Sequence, residues 1–172
     1  MRLFFAFFLT AIVADGAVSF RNEVLPVLTR QGCNAGTCHG SPSGKGGFAL
    51  SLFAFDAKAD YTALTKDFLS RRIEVLDPHL SLLLRKPSNE LSHRGGLKLP
   101  RDSREYKILH GWIAEGCQMD SPTSPKCAGI EIQSNAPSVL HWPQPTARLR
   151  ITAHFADGAK RDPHLAARRL RQ

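Results

Sequence analysis

The stretch Cys33-Asn34-Ala35-Gly36-Thr37-Cys38-His39 constrains this 172-residue chain more than any other. Four residues separate two thiols, and an imidazole follows the second directly. Three chemistries use such a set. The thiols can add to the vinyl groups of a haem while the adjacent histidine ligates the iron, usually at the spacing C-x-x-C-H. The spacer here is longer, C-x4-C-H. The same thiols can close a small disulfide in an oxidising compartment. Together with a fourth ligand, the two cysteines and His39 can also hold a structural zinc. The residues alone leave all three open, with haem ahead.

The N-terminus narrows the setting. Arg2 precedes an apolar run over 3–13, too short for a comfortable membrane span, and Ala14-Asp15-Gly16 offers small residues for cleavage. Residues 1–16 therefore read as a signal peptide, with an uncleaved anchor as the alternative. A periplasmic or otherwise exported location follows, which favours haem attachment and disulfides over zinc. The mature chain has room for one domain and a fragment. A hydrophobic fraction of 42% fits a folded protein rather than a disordered one. The net charge is +8, and much of the excess lies late, at Arg148, Arg150, Lys160, Arg161, Arg168, Arg169 and Arg171. Such a surface suits acidic partners or an anionic membrane surface. No basic stripe interleaved with aromatics argues for nucleic acid.

Apolar spacing predicts a fold class that is mainly α, with long loops and a short C-terminal β segment. Phe20, Val24 and Leu28 suggest a helix over 19–31, started or kinked at Pro26 and closed by Gly32. A glycine-rich turn from Gly40 to Gly47 and an apolar run over 48–55 follow. Asp60 is read as the N-cap of a second helix, and Asp77-Pro78 as the start of a third. The clearest helix is 103–115, capped by Asp102 with Glu105, with Tyr106, Leu109, Trp112 and Ile113 on one face. Proline and small polar residues make 118–146 a linker. Alternation over 147–155 predicts a strand, and Asp157-Gly158 a turn.

The segments Phe20-Arg21-Asn22-Glu23-Val24-Leu25-Pro26-Val27-Leu28, Cys38-His39-Gly40, Lys45-Gly46-Gly47-Phe48-Ala49-Leu50, Asp77-Pro78-His79-Leu80-Ser81-Leu82-Leu83 and Trp112-Ile113-Ala114-Glu115-Gly116 carry a likeness. Through them, 17–117 resembles the cytochrome c-like domain of large exported bacterial proteins. Over 147–172, Phe155-Ala156-Asp157-Gly158 and Arg161-Asp162 resemble the opening strands of a group 2 bacterial immunoglobulin-like domain. That domain needs roughly seven strands, so the chain is expected to be cut short, as a fragment of a longer multidomain protein.

The resemblance implies covalent haem c on Cys33 and Cys38, with His39 as proximal iron ligand. Related domains often place a Met-Pro-Pro motif before the last helix; this chain has Ser92-His93-Arg94-Gly95-Gly96 there. His93 is therefore the distal candidate. Met119, the one methionine left after signal cleavage, is a weaker one. His79 and His110 read as structural or surface groups, and an open sixth position is a further alternative. Cys117 and Cys127 suggest a disulfide that fastens the linker to the last helix. The expected function is a monohaem electron carrier with an unidentified redox partner protein, not an enzyme in its own right. The alternative is a haem-free, disulfide-braced binding or adhesion module.

Overall fold

The computed structural model describes residues 17–134 and 149–161. They form two compact units, one reaching Met119 and one beginning at Asp120. The predicted signal peptide lies outside the described residues. Among the described residues, no helix is long and apolar enough to cross a membrane.

The first unit strings four short helices on long turns: α1 Leu25–Arg30, α2 Ala57–Thr65, α3 Leu82–Arg85 and α4 Arg104–Ala114. The second carries strands β1 Cys127–Ser134, β2 Leu149–Phe155 and β3 Lys160–Arg161. The expectation of a mainly α fold is thereby corrected: only 32% of the structure is helical. Helical spacing in this sequence often yields a single turn, because proline, serine and glycine interrupt it before a second turn can propagate.

Each predicted helix shows how. The stretch over 19–31 opens as a wide π turn, Phe20–Val24, with Ser19 Oγ accepting from Asn22 N. Pro26 then sits in the first turn of α1, where its missing N–H costs nothing, and Gly32 ends the run at φ +72°. Asp77-Pro78 starts only a 3-10 turn, Pro78–Leu80; Ser81 is extended (ψ 131°) and separates it from α3. α4 forms as expected, but its cap is Ser103, whose Oγ accepts from Tyr106 N at 3.1 Å. Gly116 follows it at φ +83°.

The N-cap of α2 is Asp56, whose carboxylate accepts from Lys58 N and Ala59 N at 3.0 Å each. Asp60, the expected cap, is instead buried inside the helix. Its carboxylate accepts from both the backbone N–H and the hydroxyl of Ser51, which ties α2 to the preceding loop. Burial raises the Asp60 pKa, and the two Ser51 bonds work against that rise. Folded protein therefore keeps this proton to a higher pH than the unfolded chain does. Stability should fall as pH rises from the ordinary carboxylate range to the raised value, and Asp60→Asn should flatten that slope in urea melts. Asp60→Ala, which strands the Ser51 N–H, is expected to cost about 2 kcal/mol.

The core of the first unit lies between α4 and the N-terminal turn. Phe20, Leu28, Leu64, Leu84, Leu99, Leu109, Trp112 and Ile113 are fully buried. The Phe20 ring meets Trp112 at 5.3 Å and Tyr61 edge-on at 5.4 Å. Both polar tips are satisfied: Trp112 Nε1 donates to Gln118 O and Tyr61 Oη to Cys117 O, each at 2.9 Å. The Tyr61 bond ties the end of the unit to α2.

In the second unit, the sheet order is β1-β2-β3, antiparallel throughout. Ile132 faces Ile151 and Ile130 faces Ala153 across the first pair. The Asp157-Gly158 turn joins β2 to β3, with Gly158 at φ +81°. β1 lies within the segment read as a linker, where Ile130 and Ile132 alternate with Glu131 and Gln133. Of the expected Cys117–Cys127 pair, Cys117 is buried at the end of the first unit and Cys127 is exposed on β1 of the second, each as a free thiol.

Candidate functional site

A cavity of about 680 Å³ opens in the first unit, lined by Cys33, Cys38, His39 and His93 together. Its volume falls in the range of sites that take up a whole small molecule or cofactor. Leu28, Leu82, Leu83, Leu99 and Phe48 supply apolar walls, and among the described residues no aspartate or glutamate lines it.

The loop that follows α1 builds one side. Cys33 N donates to Leu28 O at 2.9 Å, so the first cysteine continues the helix end. The loop then closes on itself: Cys38 N and Gly40 N both donate to Ala35 O, at 2.9 and 3.0 Å, and His39 N donates to Cys33 O at 2.9 Å. The longer spacer thus forms a compact double turn that returns His39 to the level of Cys33. Gly40 is required by this turn. A Cβ there would lie closer than 3.0 Å to the Asn34 carbonyl.

His39 is fixed through its ring. Nδ1 lies 2.9 Å from the Phe48 carbonyl, and the Phe48 ring packs against the imidazole at 4.6 Å between centroids. A carbonyl only accepts, so the proton sits on Nδ1 and Nε2 keeps its lone pair. Burial lowers the His39 pKa; the bond to Phe48 opposes this, and the nearby His93 adds to it. The neutral imidazole, the form that binds a metal ion, is therefore favoured.

His93 repeats the arrangement from the loop between α3 and α4. Its Nδ1 donates to Gly96 O at 2.9 Å, which again leaves the lone pair on Nε2. The ring folds back over its own loop, and Gly95 makes this fit: a Cβ there would come closer than 3.0 Å to His93 Cε1. A carbonyl accepting from Nδ1 is the usual support for a metal-binding histidine.

Burial, and then the nearby Cys38, push the Cys33 thiol up to about 11. Among the described residues, no three His, Cys, Asp or Glu side chains converge on a point where a bare ion could sit. Nor are Cys33 and Cys38 joined; both are free and half-buried. A haem asks for something else: two thiols for its edge, at most two protein ligands for its iron, and apolar walls for its faces. The residues lining this cavity fit that demand.

The other candidates are not brought here. Met119 packs against the hydrophobic core and does not line the cavity. His79 shares a hydrogen bond with Tyr106 Oη at 2.9 Å and packs tilted against His110 at 4.3 Å between centroids, in a separate cluster.

Sequence reasoning missed Arg72. Its guanidinium is buried, donates to the Ala63, Asp67 and Gly47 carbonyls, and lies over the Phe48 ring at 4.5 Å and the Phe68 ring at 5.2 Å. It braces the wall that carries the His39 anchor. The only signal for it was an arginine beside Ile73 in a polar run. Lys98 and Leu99 were missed for another reason. Both are set by bonds of their N–H groups to the distant Pro87 carbonyl, at 2.8 and 3.0 Å.

No protein family, curated protein or solved structure shows significant similarity to this chain.

Proposed function

We propose that this chain is an exported monohaem c-type cytochrome module, an electron carrier rather than an enzyme. The observation that carries the reading is the convergence of Cys33, Cys38, His39 and His93 on one apolar cavity, with both imidazoles anchored through Nδ1. In this reading Cys33 and Cys38 would hold the cofactor as thioethers, and His39 and His93 would be the protein's ligands to its iron, which would supply one-electron chemistry.

The protein's part is positional. Phe48 O fixes the tautomer and angle of the His39 ring, and Gly96 O does so for His93. Such carbonyl bonds also make each imidazole a stronger donor to the metal. Leu28, Leu83, Leu99 and Phe48 give the site apolar walls.

The test is a pyridine haemochrome spectrum of protein made in a host with c-type maturation, after acid–acetone extraction. Wild-type chain is expected to retain its haem. A Cys33→Ser/Cys38→Ser chain is expected to lose essentially all of it. A colourless wild-type chain, beside a control cytochrome that matures normally, would sink the reading.

A further inference from the structure

We infer that Glu115 is a capture site for the α-ammonium group that signal-peptide cleavage creates at Ala17; the inference rests on the reading of the chain as exported, and is independent of haem. Val18 N donates to Glu115 Oε2 at 2.7 Å, although 97 positions separate the two residues. Ser19 N donates to Glu23 Oε2 at 2.9 Å, and Ser19 Oγ accepts from Asn22 N at 3.0 Å. Two carboxylates thus hold two successive backbone N–H groups. Val18 also packs on the core, and a Cβ on Gly111 of α4 would already touch its Cγ2, at 3.5 Å. The backbone at 18–19 is therefore fixed, whereas Ala17 is exposed. The bond after Gly16, where cleavage is expected, lies just outside the held backbone. A protease can cut there without disturbing a packed residue.

The charge on Glu115 is otherwise out of place. Glu115 is the C-cap of α4, the negative end of the helix dipole, where cations are favoured and carboxylates are not. The last turn of α4 holds no basic residue, and among the described residues Glu115 takes part in no ion pair. The amide N–H of Val18 offsets only part of a full negative charge. In the precursor Ala17 N is a neutral amide as well. After cleavage the same nitrogen carries a full positive charge. Consecutive backbone nitrogens lie about 3 Å apart, so that charge arises within roughly 6 Å of Glu115 Oε2. The tie between the start of the unit and the end of its last helix is then completed by processing, as in other sites that recognise a free chain terminus. It is weaker in the precursor and stronger in the mature chain.

The test uses the chain as exported from a bacterial host, whose intact mass gives the N-terminus. The pKa of the Ala17 amine is read from the pH dependence of trace acylation, followed on the N-terminal peptide by mass spectrometry. It is expected at least ~0.5 above the range of about 7.7–8.0 that is ordinary for an α-amine. Glu115→Gln keeps an acceptor for Val18 N and removes the charge, and should return the amine to that range. Glu23→Gln, the neighbouring carboxylate, should move it less than half as far. An amine whose pKa is raised by folding stabilises the protein below its unfolded-state value, and that contribution is lost as pH rises through the folded one. From about pH 7 to about pH 10 the parent's unfolding constant should therefore rise ~3-fold more than that of Glu115→Gln, the same shift read as a ratio. An ordinary amine pKa in the parent, or a raised one that ignores Glu115→Gln, overturns the capture site and leaves export standing. A mass that shows another N-terminus refutes the cleavage itself, and the capture site with it.

Discussion

Haem-loaded His93→Ala protein is expected to turn from a six-coordinate low-spin spectrum to a high-spin one, and to bind imidazole or carbon monoxide that the parent excludes. The reasoning runs through the ring. His93 offers Nε2 to the cavity because Nδ1 is held by Gly96 O at 2.9 Å. Alanine removes the ligand and leaves the loop. Covalent haem should stay, since Cys33, Cys38 and His39 lie on a different loop. Gly95→Ala should act in the same direction: its Cβ would displace the His93 ring, so the ligand is present and misplaced. His93→Met should instead keep six-coordination and raise the potential, as thioether ligation does relative to imidazole. A parent that is already high-spin, or a His93→Ala spectrum identical to a low-spin parent, would remove His93 from the iron.

The second large effect is expected from one methyl group. Gly40→Ala places a Cβ against the carbonyl of Asn34 and the backbone of Ala35, closer than 3.0 Å to each. Those atoms belong to the double turn itself and cannot swing aside as a side-chain tip would. Overpacking against backbone should cost about 3 kcal/mol, the top of the usual range. It should also abolish most haem attachment, because Cys38 and His39 ride on the turn that must open. Gly36→Ala, one position where the nearest atom is Leu52 Cδ1 at 3.9 Å, should cost less than ~0.5 kcal/mol. Chemical denaturation midpoints and haem yields of the two variants check this pair. Similar values for both would show that the turn is pliable.

Much of the cavity could be read from the sequence because its chemistry is local. Cys33, Cys38 and His39 announce themselves by adjacency, and Ser92-His93-Arg94-Gly95-Gly96 by a histidine beside two glycines. Helix α4 was legible for a similar reason: Tyr106, Leu109, Trp112 and Ile113 all fall on the buried face. What failed were readings that depended on what a residue meets elsewhere. Asp60 looks like a cap until Ser51, nine residues away, claims both carboxylate oxygens. The segment 118–146 looks like a linker because its prolines and small residues outnumber the alternating Ile130 and Ile132 that form β1. Helix content was overstated because periodicity reports a face, not the number of turns that survive Ser81 or Pro78.

The self-bonded loop after α1 also sets an order of assembly. Its N–H groups reach partners only 3 to 11 residues back, from Cys38 N to Ala35 O up to Leu50 N to His39 O. Closing such short loops takes on the order of 10–100 ns and needs no distant segment. His93 reaches the same cavity from the other side of α2 and α3, and so belongs to a slower, non-local step. The attachment half of the cavity can thus nucleate while the rest of the chain is still searching. A nascent chain would present two thiols and a histidine in register first, and gain its second imidazole last.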